Sequence, residues 1–191
     1  MGGAEDMIKA LSVRALAIPM DGSLDKEKIG VAIASDGTVA KVAVKCSNHD
    51  VFILIPAGRK LCRGDPRLAP YPRRTKPAPD LFLAAFDILN KERVEKKQTE
   101  IQPVECLVFE GSIIGVEAAR EAGMRVVWVS HPLTRNAYRG MEEKVLNGKL
   151  GEEGRREDYV KGVAEVRDSL AGFEYEKYGV ALVGSEQVLV N

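Results

Sequence analysis

Short unbroken apolar runs alternate along this chain with longer stretches of helical spacing. The clearest run is Gly30-Val-Ala-Ile-Ala-Ser35, bounded by charge before it and an Asp36-Gly37 turn after it. Such a run suits a strand buried on both faces of a parallel sheet. Val51–Ile55, Cys106–Phe109 and Arg125–Val129 read the same way, and the apolar stretch Val13–Ile18 stops at Pro19. Helices are predicted over Gly3–Leu11, Thr38–Lys45, Asp80 to about Lys97, and Ile113–Ala122. In the third of these, Leu81, Leu83, Ala84, Ala85, Ile88 and Leu89 share one side, and Asp80 is placed to cap it. Gly123 is a favoured residue just past a helix end. Pro56 to Pro79 holds six prolines and many basic residues, so it is expected to run over the surface as an ordered loop with no regular element. Tyr138–Leu146 and Tyr159–Leu170 are expected as surface helices, and the apolar tail Val180–Val190 suits a strand with no assigned place. The β-α-β rhythm around Cys106–Val129 implies a right-handed crossover in a doubly wound parallel sheet.

Composition narrows the class. With 191 residues, 45% hydrophobic and 29% charged, the chain suits one globular domain with a core of its own. Lys+Arg and Asp+Glu each number 28, so no net field draws it to nucleic acid or a membrane, and neither is expected as a partner. No apolar run approaches the roughly 20 residues of a membrane span, and no basic-then-apolar leader opens the sequence. Met1-Gly2 lacks the Ser or Thr that myristoylation wants at position 6, where Asp6 stands. Cys46, Cys62 and Cys106 are odd in number and lack CxxC spacing, which points to reduced structural thiols and a cytoplasmic location. The basic loop of Arg59, Lys60, Arg63, Arg67, Arg73, Arg74 and Lys76 has Tyr71 as its one aromatic and reads as a solvated loop. His49 and His131 make no zinc cluster, and no glycine-rich nucleotide motif follows a strand.

Three strings carry chemistry. Glu105 to Val129 is a buried strand ending in Glu110, a glycine turn, a small-faced helix and a second buried strand. In open α/β sheets ligands bind at the carboxyl ends of strands, where Glu110 stands; the same residue is also placed to cap the following helix. Lys76-Pro-Ala-Pro-Asp80 holds a lysine on a stiff extended segment before a helix, and Ile33-Ala-Ser35 ends a strand in a hydroxyl. In order, and with gaps of 41 and 34 residues, these strings resemble motifs two, three and four of the haloacid-dehalogenase (HAD) superfamily of phosphohydrolases. The resemblance runs from about Lys28 to Pro132. It is closest to the capped sugar-phosphate and nucleotide-phosphate branch that includes pseudouridine-5′-phosphatase and glycerol-3-phosphatase.

The resemblance implies a three-layer Rossmann-like core spanning residues 1–191, with 133–191 as a helical extension. It implies that Ser35, Asp36 and Lys76 bind the phosphoryl group of a small phosphorylated metabolite, and that Glu110 belongs to a Mg²⁺ site. It also implies an Asp nucleophile at the end of a first strand, with a second Asp two residues on as general acid and base. The one candidate string is Ala17-Ile-Pro19-Met-Asp21-Gly22-Ser23, where Asp21 matches the acid and base while Pro19 stands in the nucleophile's place. Only 13 residues separate Gly22 from Ser35, too few for a helical cap. Either this string is a chance turn, with first strand and cap upstream of Met1, or it is a decayed motif. Gly111 stands where the fourth motif carries a further acid. The expectations are a catalytically impaired phosphatase relative with a missing cap and weak Mg²⁺ binding, and a sheet edge left open to self-association. The alternative is a non-catalytic interaction protein on the same scaffold.

Overall fold

The computed structural model describes residues 14–17, 30–47, 55–72, 75–148, 164–171 and 173–178. The helix expected over Gly3–Leu11, the strand expected over Val51–Ile55 (Ile55 apart) and the tail Val180–Val190 lie outside them, as does Asp21.

A six-stranded sheet organises the described residues. Its strands are β1 Arg14–Ala17, β2 Gly30–Thr38, β3 Lys60–Arg63, β4 Cys106–Glu110, β5 Arg125–Val129 and β6 Ala164–Arg167, in the spatial order β3-β2-β1-β4-β5-β6. The β2–β3, β4–β5 and β5–β6 pairs are parallel. Only β1 departs from this, lying antiparallel to both β2 and β4. Ala17 pairs with Gly30 and Cys106, at the amino ends of its neighbours. The interior position between β2 and β4 is thus filled, and among the described residues the outer strands are β3 and β6.

Alternation along the strands divides the core between two faces. Ala32 and Ala34 of β2, Cys106 and Val108 of β4, and Val126 and Trp128 of β5 join Leu81, Phe82, Ala85 and Leu89 of helix α2 (Asp80–Glu95). Val116, Ala118 and Ala119 of α3 (Ile113–Glu121) complete this layer. On the opposite face Leu107, Phe109, Val127 and Val129 meet Phe173 and Tyr178. Phe173 meets Phe109 edge-on and stacks on Tyr178, both with centroids 5.2 Å apart. Ile33 faces this second side as well, with Ile55 and Cys46 of α1 (Val39–Ser47) around it. The result is the three-layer, Rossmann-like α/β arrangement that the sequence implied.

Several expectations need correction. The proline-rich stretch contains β3, whose Leu61 and Cys62 are buried beside β2; its prolines fall outside those four residues, so the ladder keeps every donor. Ala164–Arg167 is a strand on β5, where a helix over Tyr159–Leu170 was expected. Asp80 is the first residue of α2, and Pro79 rather than Asp80 holds the cap position. Of Tyr138–Leu146 only α5 (Glu142–Leu146) is helical; a separate helix, α4 (Pro132–Ala137), ends before it, and Gly140 at φ 80° lies between the two. By contrast, β4 and β5 fall where the apolar runs place them, and α3 ends before Gly123 at φ 77°.

The loop ahead of β3 is tied to α2 by the Arg59 guanidinium on both oxygens of Glu92. Hydrogen bonding from Arg59 holds the Glu92 carboxyl below its ordinary 4.5. Support from a lowered carboxyl is present above its ordinary value and fades as pH falls through the lowered one. Glu92→Gln is expected to cost less than about 1 kcal/mol at neutral pH, because the pair is part-exposed. In urea denaturation the gap to the parent chain should close in acid; a gap independent of pH would show that the pair carries no such support.

Candidate functional site

The carboxyl ends of β2 and β4 open onto a cavity of about 170 Å³ lined by Ser35, Asp36, Lys41, Lys76, Ser112 and Ile114. Each wall follows from local structure. Beyond Ser35 the β2–β3 register shifts, and the Gly37 N–H donates to Ser35 Oγ at 3.1 Å. This turns the chain directly into α1, whose third residue is Lys41. Lys76 lies on the segment before α2, its backbone N–H donating to Asp36 Oδ1 at 3.2 Å, and the Lys76–Pro77 peptide is cis.

At the back of the cavity Lys76 Nζ forms an ion pair with Glu110 Oε1, and Nζ lies 4.8 Å from the centroid of the Phe82 ring. The side chains of the pair are 1% and 0% exposed. Glu110 Oε2 accepts from the Ser112 backbone N–H at 3.2 Å and from the Ser112 hydroxyl at 3.0 Å. The Ser112 hydroxyl oxygen in turn accepts from Gly115 N–H and so caps α3. Burial pushes the Glu110 carboxyl above its ordinary range, while Lys76 and Ser112 pull the other way. Gly115 makes the arrangement possible, since a Cβ there would lie 2.1 Å from Glu110 Cδ.

Of the residues singled out by sequence, Ser35, Asp36 and Lys76 line this one cavity, with Glu110 bonded to Lys76 behind it. Asp21 lies outside the described residues. The basic loop does not act as a unit: Arg59 is held by Glu92, and Arg67 by Asp65 and the carbonyls of Gly58 and Lys60. His131 caps α4 by accepting from Leu133 N–H, and Trp128 is wholly buried with its N–H on the Gly111 carbonyl. Cys106 is buried with its thiol pushed up to about 12 by desolvation, in keeping with a structural thiol. Sequence reading missed Lys41 and Ser112. The signal for Ser112 was its place two residues after Glu110, and for Lys41 its place in the first turn after Ser35-Asp36-Gly37.

The Mg²⁺ that the motifs imply can be tested against the donors present. Mg²⁺ wants near-octahedral oxygen ligands at about 2.0–2.1 Å. Both Glu110 oxygens are engaged, one by an ammonium group, and Gly111 adds no donor side chain. No group of three or more His, Cys, Asp or Glu residues suited to a metal occurs among the described residues. The described donor set does not fit this ion.

No protein-family model matches the chain. It is 32% identical over 178 residues to a probable pseudouridine-5′-phosphatase of Saccharomyces cerevisiae, covering 93% of this chain and 61% of that protein. It is 30% identical over 158 residues to a probable pseudouridine-5′-phosphatase of Drosophila melanogaster, covering 82% and 54%. It is 31% identical over 147 residues to (DL)-glycerol-3-phosphatase 2 of Arabidopsis thaliana, covering 76% and 50%. The chain thus spans between half and about three fifths of the length of these relatives.

Proposed function

From the premise that this chain belongs to the HAD-like phosphatase superfamily, we propose that it receives the phosphoryl end of a small phosphorylated metabolite in the Ser35–Lys76 cavity and is impaired in cleaving it. The observation that carries the reading is the convergence of Ser35, Lys76 and Glu110, far apart in sequence, on one cavity at the carboxyl edge of the sheet. The cavity lies below the roughly 300–1,000 Å³ of sites that enclose a whole drug-sized ligand, so it suits a phosphoryl head whose remaining atoms lie outside.

The course of β1 supports the impairment. The family resemblance implies an attacking carboxylate at the end of a first strand; β1, between β2 and β4, has no acidic residue and runs away from the cavity. Ala17 is level with Gly30, five residues from Ser35, or about 17 Å at about 3.3 Å per residue. The carboxylate that does line the cavity, Asp36, accepts from the Lys76 backbone.

Phosphate release from a panel of sugar and nucleotide monophosphates, with Mg²⁺ and with chelator, tests the reading on the parent chain, Ser35→Ala and Lys76→Ala. No release above the protein-free blank is expected. Metal-dependent release that both substitutions abolish would overturn the impairment and return the chain to the active phosphatases.

A non-catalytic interaction protein is the second reading, favoured by Val39 and Val44, which stand 63% and 61% exposed on α1 beside the cavity. Self-association through α1 or an outer strand would appear as concentration-dependent mass in sedimentation, and a strict monomer would count against it.

A further inference from the structure

The ion pair at the back of the cavity changes which cation is available at the front. Lys76 and Glu110 are both buried and neutralise each other, so together they present no net charge to a ligand. Asp36, also on the lining, is an acid. Without a further positive group the cavity would repel a phosphoryl dianion. Lys41 supplies that group. It lines the cavity from the first turn of α1, its side chain is exposed, and it has no ion pair among the described residues. The amino end of the nine-residue α1 adds partial positive charge in the same direction, and no acidic residue in its first turn opposes it.

We propose that Lys41 is the residue that meets the phosphoryl oxygens of the ligand, and that this contact needs no divalent metal because the Lys76 ammonium is already the counter-ion of Glu110. The inference rests on the phosphoryl-binding reading given above and assigns its charge. Ser35 and Ser112 offer hydroxyls from the walls, Lys41 supplies the net charge, and Lys76 holds Glu110 in place.

The test is titration of the full chain with inorganic phosphate, followed by calorimetry and ³¹P resonance, once with excess chelator and once with Mg²⁺. The parent chain is compared with Lys41→Ala, Lys41→Arg and, as an exposed lysine on another helix, Lys91→Ala. Phosphate is expected to bind equally in chelator and in Mg²⁺. Lys41→Ala should weaken it about tenfold or more, the range for a lost hydrogen bond to a charged group. Lys41→Arg and Lys91→Ala should bind as the parent does, with all four melting temperatures alike. Binding that appears only with Mg²⁺, or that is indifferent to Lys41→Ala, overturns this inference and leaves the phosphoryl-binding reading standing. Absence of binding in both conditions overturns the two together.

Discussion

Lys76→Ala is expected to be the most destabilising single change at this site, costing about 3–5 kcal/mol at neutral pH, because it strands a fully buried carboxylate. Its pH dependence has a definite sign. Even beside Lys76, burial keeps the Glu110 carboxyl above its ordinary 4.5, and without Lys76 it rises further. A raised carboxyl supports the folded state below its ordinary value and loses that support as pH climbs through the raised one. The deficit of Lys76→Ala relative to the parent should therefore be greatest at neutral pH and shrink as acid protonates Glu110. Removing both charges, in Lys76→Met with Glu110→Gln, should recover most of the loss. Urea denaturation of the three proteins across acid and neutral pH gives the comparison. An equal loss for Lys76→Ala at every pH would show that Glu110 is not the charge left unpaired.

The second large effect reverses a general rule. Alanine is favoured over glycine inside a helix by about 1 kcal/mol, so Gly115→Ala in an open helix would stabilise. Here the added carbon would meet the Glu110 carboxyl at 2.1–2.3 Å, and the carboxylate must move off Lys76 and Ser112. Overpacking alone costs about 1–3 kcal/mol, and disturbing the ion pair adds to it. A net loss of about 2 kcal/mol or more is expected in chemical denaturation. Gly111→Ala is the control, since its Cβ would meet only the Val129 carbonyl at an ordinary 3.5 Å and should change little. A Gly115→Ala chain as stable as its parent would mean that Glu110 does not sit against α3.

What could be read from sequence follows burial. Strands β4 and β5 are buried throughout, so each shows as an unbroken apolar run. Strand β3 has two buried residues between Lys60 and Arg63, too short a signal among the prolines. Strand β6 is half-buried at all four positions and two of its four residues are charged, so helical spacing fitted its surroundings equally well. The same holds at the site. Ser35, Lys76 and Glu110 were legible because their order and spacing match known motifs. Lys41 was not, because its relation to the cavity depends on the tight entry from β2 into α1 at Gly37, a matter of backbone geometry. That Glu110 is held by an ammonium and a serine was equally beyond a linear reading, since Lys76 and Glu110 meet only once α2 and α3 are packed against the sheet.

The reversed central strand bears on how the molecule comes apart. Among the described residues, the sheet pairing that joins β2–β3 to β4–β5–β6 passes through the four residues of β1. Opening of that one short strand would cut the sheet into two blocks, and the amides of β2 and β4 that face it would become exchangeable together while those between β4 and β5 stayed protected. Native-state hydrogen exchange is therefore expected to resolve two cooperative units in this fold, divided at β1, with the smaller β2–β3 unit at the lower free energy.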